Sequence, residues 1–197
     1  MPPIPPVTRL LMLVCTAVFC LEFFVPLAQW FALWPLSSPL FFPWQVVTYA
    51  FLHGGMLHLF FNMLGLWMFG AELERLWGDR RYWQFMTAGV LAAALTELIF
   101  TAVTGSRDPT LGISGAIYAL LLAYGMLFPN RTVMLLIPPI PMKARTFVIV
   151  FGTLELLFGL SGSSGIAHFA HLGGMLGGWL MIRWWRGQPP FGRARRR

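Results

Sequence analysis

Six runs of mostly apolar residues, at roughly 9–29, 57–77, 82–104, 112–128, 145–161 and 168–186, fill more than half of this chain. A helix that crosses a bilayer needs about 20 such residues, and each run approaches that length. None shows the alternation of about ten residues that marks a membrane strand, which argues against a barrel. Composition agrees: 57% of the 197 residues are hydrophobic and 11% are charged. A soluble domain carries roughly 25% charged residues, too many more for this chain to clothe a globule of its size in water. The expected fold class is all-α: a polytopic membrane helix bundle of six transmembrane helices, one embedded domain over residues 1–197.

The first run follows Arg9 and resembles a secretory leader, but Leu21-Glu22-Phe23-Phe24 is too bulky for a cleavage site. It reads as a span. Cys15 and Cys20, five apart, point about 140° apart on a helix and read as packing residues, without redox meaning.

Charge sets the orientation. Of the 14 Lys and Arg residues, all but Arg107 fall before span one, between spans two and three, between four and five, or after six. The positive-inside rule then puts both termini and the basic tail 187–197 in the cytoplasm. The net charge of +7 marks loops, not nucleic-acid binding. The connection 30–56 is uncharged and aromatic, suited to the outer interface or to a hairpin against the bundle. The connector Pro129–Lys143 cannot be a regular helix through Pro138, Pro139 and Pro141.

Ionisable groups inside a membrane are costly, so they are functional candidates. His58 and Asn62, four apart, share a face of span two; His168 and His171, three apart, share a face of span six. Spans two, four and six all enter from the outer side. His58, Asn62, Ser114 and His171 therefore lie within roughly 10 Å of the outer boundary, in one layer. Gly112, Gly115 and Ala119 on span four, and Gly173, Gly174, Gly177 and Gly178 on span six, allow close approach of those helices.

Ser114 is a candidate nucleophile that needs a base, or else a helix cap. His171 is the candidate base and His168 its rival. His58 and Asn62 could donate to an oxyanion or bond between helices. His53, about 140° round from His58 if helical, faces elsewhere and supports the loop. No carboxylate neighbours either histidine pair in sequence, and no metal is expected. Glu22, Glu97 and Glu155 fall inside spans one, three and five, as a proton path or as interhelical bonds. Glu72 and Glu74 beside Arg75 read as a local ion-pair cluster.

Taken jointly, four segments resemble the rhomboid intramembrane serine proteases. They are His53-Gly-Gly-Met-Leu-His58-Leu-Phe-Phe-Asn62, Gly70-Ala-Glu-Leu-Glu74-Arg-Leu-Trp-Gly78, Gly112-Ile-Ser114-Gly115-Ala-Ile-Tyr118 and Ala170-His171-Leu-Gly-Gly174-Met-Leu-Gly-Gly178. Their order covers nearly the whole chain. The resemblance implies a minimal six-span core with Ser114 as nucleophile and His171, not His168, as base. His58, Asn62 and the backbone N–H of Ser114 would form the oxyanion hole, and Tyr118 would stack on His171. Glu74 would match the family's glutamate at the inner end of span two. The family has no acidic third member, which fits the lack of a neighbouring carboxylate. Where the family often has Trp-Arg in the first loop, this chain has Trp44-Gln45. The implied partners are transmembrane protein substrates and the lipid bilayer, with no cofactor, in a bacterial inner membrane. Two other classes stay open: a non-catalytic binder of client helices, and a proton-coupled transporter.

Overall fold

The computed structural model describes residues 3–135, 138–161 and 167–191. Arg193, Arg195, Arg196 and Arg197 of the tail, and Ile137 of the connector, lie outside the described residues. The chain is built of helices α1 (Pro6–Glu22), α2 (Ala28–Phe31), α3 (Gln45–Thr48), α4 (Met56–Gly65), α5 (Ala71–Trp77), α6 (Asp79–Thr104), α7 (Ser114–Leu127), α8 (Ala144–Ser161) and α9 (His168–Trp185). A single π turn, Leu66–Gly70, joins α4 to α5 in one helical rod, Met56–Trp77. That rod, α6 and α8 are each long and apolar enough to cross a membrane; α7 is apolar but has only 14 residues.

The first run is shifted from its expected place. α1 starts at Pro6, where proline's fixed φ suits a first helical turn, and stops at Glu22. Pro26 cannot continue the helix, so 23–27 turns and the expected span to residue 29 is not formed. Gly78, at φ 75°, breaks α5 from α6 in a single residue. The proline connector is not helical, as expected, but it adds a short antiparallel pair, β1 (Thr132–Met134) with β2 (Pro141–Lys143).

At the centre, α9 lies between α6 and α7. Its four glycines divide the work. A Cβ on Gly173 would come within 2.5 Å of Thr96 Cβ, and one on Gly177 within 2.5 Å of Ala92 Cβ, both on α6. A Cβ on Gly178 would meet Ala119 of α7 at 2.9 Å. Such small-residue seams let membrane helices close to van der Waals contact. The outer flanks carry Leu95, Ile99, Val103, Ile149, Leu157 and Leu160, all exposed. So large an apolar surface suits lipid rather than water.

Glu74 ties α5 to the start of α1. Its Oε1 accepts the Val7 N–H at 2.8 Å; its Oε2 accepts the Thr8 N–H at 2.7 Å and the Thr8 hydroxyl at 2.6 Å. These amides belong to the first turn of α1, which has no partners of its own for them and favours a negative charge. The expected cluster with Arg75 does not form. Arg75 donates to the carbonyl of Pro3, while Glu72 pairs with Arg131 and accepts from Tyr124 Oη.

The aromatic connection folds around Gln45, which is fully buried. Its Oε1 accepts the Trp34 N–H at 3.2 Å, and its Nε2 donates to the carbonyls of Leu40 (2.8 Å) and Trp30 (3.2 Å). Phe42 stacks on Trp44 at 4.5 Å, and Trp30, Phe31 and Trp44 stay exposed. The connection thus has both a buried hinge and an aromatic outer face.

Candidate active site

A cavity of about 850 Å³ opens at the end of the bundle where α4, α7 and α9 begin. Ser114 is the first residue of α7, His171 the fourth of α9, and His58 and Asn62 lie in the first two turns of α4. All four line the cavity. The single layer expected from the order of the spans is therefore one site.

Ser114 and His171 meet across the seam between α7 and α9. Oγ of Ser114 lies 2.8 Å from Nε2 of His171. With Nε2 accepting from the hydroxyl, the ring proton belongs on Nδ1. The Tyr118 ring, one turn along α7, stacks on His171 at 4.3 Å and 10°, which fixes the plane of the imidazole. Close approach comes from glycine: a Cβ on Gly115 would be 2.5 Å from Ala93 Cβ, and one on Gly174 would be 1.9 Å from the Gly115 carbonyl oxygen.

Gly112 performs a similar service on the other side of Ser114. Its φ is +114°, a conformation L side chains rarely adopt, and a Cβ there would lie 2.7 Å from the His58 ring. The backbone entering α7 thus passes directly against His58. The Asn62 side-chain nitrogen is buried with no hydrogen-bond partner among the described residues. An orphaned donor is expensive unless an acceptor arrives. His53 does not face elsewhere as expected: it precedes α4 rather than continuing it. Its ring packs edge-on to His58 at 5.2 Å.

The absence of a carboxylate near the histidines is overturned. Glu155, on α8, reaches into the cavity, with Oε2 2.5 Å from His168 Nδ1 and 2.9 Å from His171 Nδ1. The second contact is at ion-pair range, without an aligned N–H direction. The Tyr118 hydroxyl donates to Glu155 Oε1. Spacing along the chain could not reveal this, because Glu155 is 13 residues from His168 and on another helix. Glu97 also lines the cavity but accepts from the Thr110 hydroxyl at 3.2 Å, and Glu22 lies 3.4 Å from the His53 N–H. Glu22, Glu97 and Glu155 thus go to different partners.

Glu155, His168 and His171 offer nitrogen and oxygen atoms within 4.8 Å of one another, a donor set that zinc accepts. Neighbouring ligands of tetrahedral zinc stand roughly 3.3 Å apart. The two contacts to Glu155 Oε2 are shorter than that spacing.

An apolar bundle, with serine and histidine paired beneath its surface, defines an integral membrane protein of the rhomboid family. The family model, described as a rhomboid domain, matches residues 42–186, and the chain belongs to that family. Among its relatives is rhomboid protease GlpG of Yersinia pestis (strain Pestoides F), 28% identical over 187 residues, 91% of this chain and 62% of GlpG. Rhomboid protease GluP of Bacillus subtilis (strain 168) is 34% identical over 137 residues, 68% of this chain and 24% of GluP. The chain thus spans about three fifths of the length of the GlpG relatives.

Proposed function

We propose that this protein is an intramembrane serine endopeptidase that cuts transmembrane segments of other membrane proteins. The observation that carries the reading is the 2.8 Å contact between Ser114 Oγ and His171 Nε2 inside a cavity walled by apolar helices. Serine is a weak nucleophile until a base takes its proton, and this histidine is within reach.

In this reading His171 Nε2 takes the Ser114 proton as Oγ bonds to a peptide carbonyl carbon. The carbonyl electron pair moves to its oxygen, where His58, Asn62 and the Ser114 backbone N–H stabilise it. His171 then returns the proton to the leaving amine as the C–N bond breaks. A water, deprotonated by the same nitrogen, releases the acyl group and restores the serine hydroxyl. A substrate helix must unwind to present an extended bond, so segments with glycine or other weak helix formers are favoured. The chemistry calls on no metal or organic cofactor.

The same proposal has one embedded domain with six crossings and both termini cytoplasmic, supported by the distribution of basic residues. The named bacterial relatives support a bacterial inner membrane. The test is cleavage of a model transmembrane substrate by purified protein in detergent. Wild type should cut and should react with a fluorophosphonate at Ser114; Ser114→Ala should do neither. Cleavage that survives Ser114→Ala sinks the proposal. Substrate retention without cleavage or labelling would make the chain a non-catalytic binder.

A further inference from the structure

We infer that Glu155 is a positioning residue for His171, so that the reacting groups form a line Ser114–His171–Glu155 rather than a pair. This inference rests on the protease reading above. Three observations carry it.

The first is placement. His171 has two ring nitrogens, and the structure gives each a neighbour: Nε2 faces Ser114 Oγ at 2.8 Å and Nδ1 faces Glu155 Oε2 at 2.9 Å. A base that takes a proton at Nε2 must carry its own proton on Nδ1. A carboxylate there favours that tautomer and stabilises the imidazolium that forms. Catalytic contacts in an unliganded site are often misaligned and tighten only with substrate, so the oblique approach to Nδ1 is compatible with the role.

The second is the care with which the carboxylate is held. Glu155 is buried in the middle of an apolar helix, where an unpaired charge is costly. Its Oε1 takes the Tyr118 hydroxyl, and its Oε2 lies between the Nδ1 atoms of His168 and His171. A carboxylate has about four acceptor positions; Tyr118 and His168 take two, which leaves room toward His171. Tyr118 therefore touches both partners, stacking on the imidazole and bonding the acid.

The third is that Glu97 and His58, which also line the cavity, are engaged elsewhere. Glu97 of α6 accepts from Thr110. His58 of α4 accepts the Gly54 N–H through Nδ1 at 3.4 Å. Of the three carboxylates that line the cavity, Glu97, Asp108 and Glu155, the last is the one within ion-pair distance of His171 among the described residues. His168, on the far side of Oε2, anchors the acid rather than replacing the base.

No net protonation of Glu155 is required. The proton from Ser114 stays on Nε2 until the amine leaves, and the Nδ1 proton stays on His171 beside the carboxylate.

The test compares wild type, Glu155→Gln, Glu155→Asp and Ser114→Ala in detergent. Glu155→Gln keeps the shape but lets the amide support the wrong tautomer. Its kcat should fall on the order of 10²-fold or more, with KM changed less than about twofold, and the fluorophosphonate reaction should slow in parallel per folded molecule. Glu155→Asp should recover part of the rate. A merely structural glutamate would lower the yield of labelled protein but leave the rate of each folded molecule intact, and that result overturns the inference. A second readout needs no stable variant: the phosphonylated wild type should show a low-field Nδ1 proton resonance from His171. Its absence also overturns the inference. If wild type cuts and labels while Glu155→Gln keeps full kcat, the line fails and the protease stands. If wild type does neither, the protease reading fails first.

Discussion

A Cβ atom on Gly174 would lie 1.9 Å from the carbonyl oxygen of Gly115, so α9 and α7 touch backbone to backbone one turn from the Ser114–His171 contact. The distance between Ser114 and His171 is therefore set by the main chains of two helices. Gly174→Ala must separate them. The variant should lose about 1–3 kcal/mol of stability through overpacking. Its cleavage rate per folded molecule should fall tenfold or more, since displacements of about 1 Å at reacting atoms are costly. Thermal unfolding and initial rates on the same sample check both parts.

Asn62 makes the opposite trade. Its buried amide nitrogen has no partner among the described residues, which is a cost in the resting protein. As an oxyanion donor it would recover that cost only during the reaction. Asn62→Ala should lower kcat about 10²–10³-fold while leaving the unfolding midpoint unchanged or slightly raised. A drop in midpoint with normal kcat would remove Asn62 from the oxyanion hole.

Gly112 combines a positive φ with a ring at its face. Gly112→Ala meets both obstacles, backbone strain of about 1–3 kcal/mol and a clash with His58. It should be among the most damaging single-methyl changes in the chain. Activity should fall more than in Gly105→Ala, a control glycine at φ 72° with open space around its Cβ position. Equal effects at the two positions would show that His58 is not displaced.

Glu74 is far from the chemistry but holds the first turn of α1 through three hydrogen bonds. Glu74→Gln removes the charge and keeps the size. It should cost about 3 kcal/mol of stability, read as a lowered unfolding midpoint in detergent, with cleavage per folded molecule near wild type. A selective loss of kcat would point to coupling between the two ends of the bundle.

Much of the site was legible because apolar surroundings make polar residues conspicuous. Helical spacing put His58 with Asn62, and the direction of the spans put both in the layer of Ser114 and His171. What spacing cannot show is contact between helices. Glu155 was visible as a lone acid in an apolar run, yet the layer was drawn only from spans that enter from outside. α8 runs the other way, and Glu155 lies six residues before its far end, at the same level. Counting from the ends of helices that run the other way would have placed it in the layer, though not in contact with His171. His53 was misplaced for a local reason: helical angles were applied to a residue that precedes the helix. Pro26 ended the first span early, a signal present in the sequence and outweighed by the apolar run around it.

The π turn at Leu66–Gly70 has a consequence for how this protein tolerates change. One rod carries two sets of side chains with unrelated destinations: Asn62 toward the cavity, Glu74 toward the start of α1. In a regular helix each residue advances the azimuth by about 100°, so the two destinations would be locked in one phase. The widened turn absorbs an extra residue and lets the halves be clocked separately. Deleting one residue within 66–69 would leave every motif letter in place and remove the extra residue that the turn absorbs, returning the rod to one regular helix. The rod is in effect two helices with an adjustable coupling, and its motifs are read correctly only with that coupling counted.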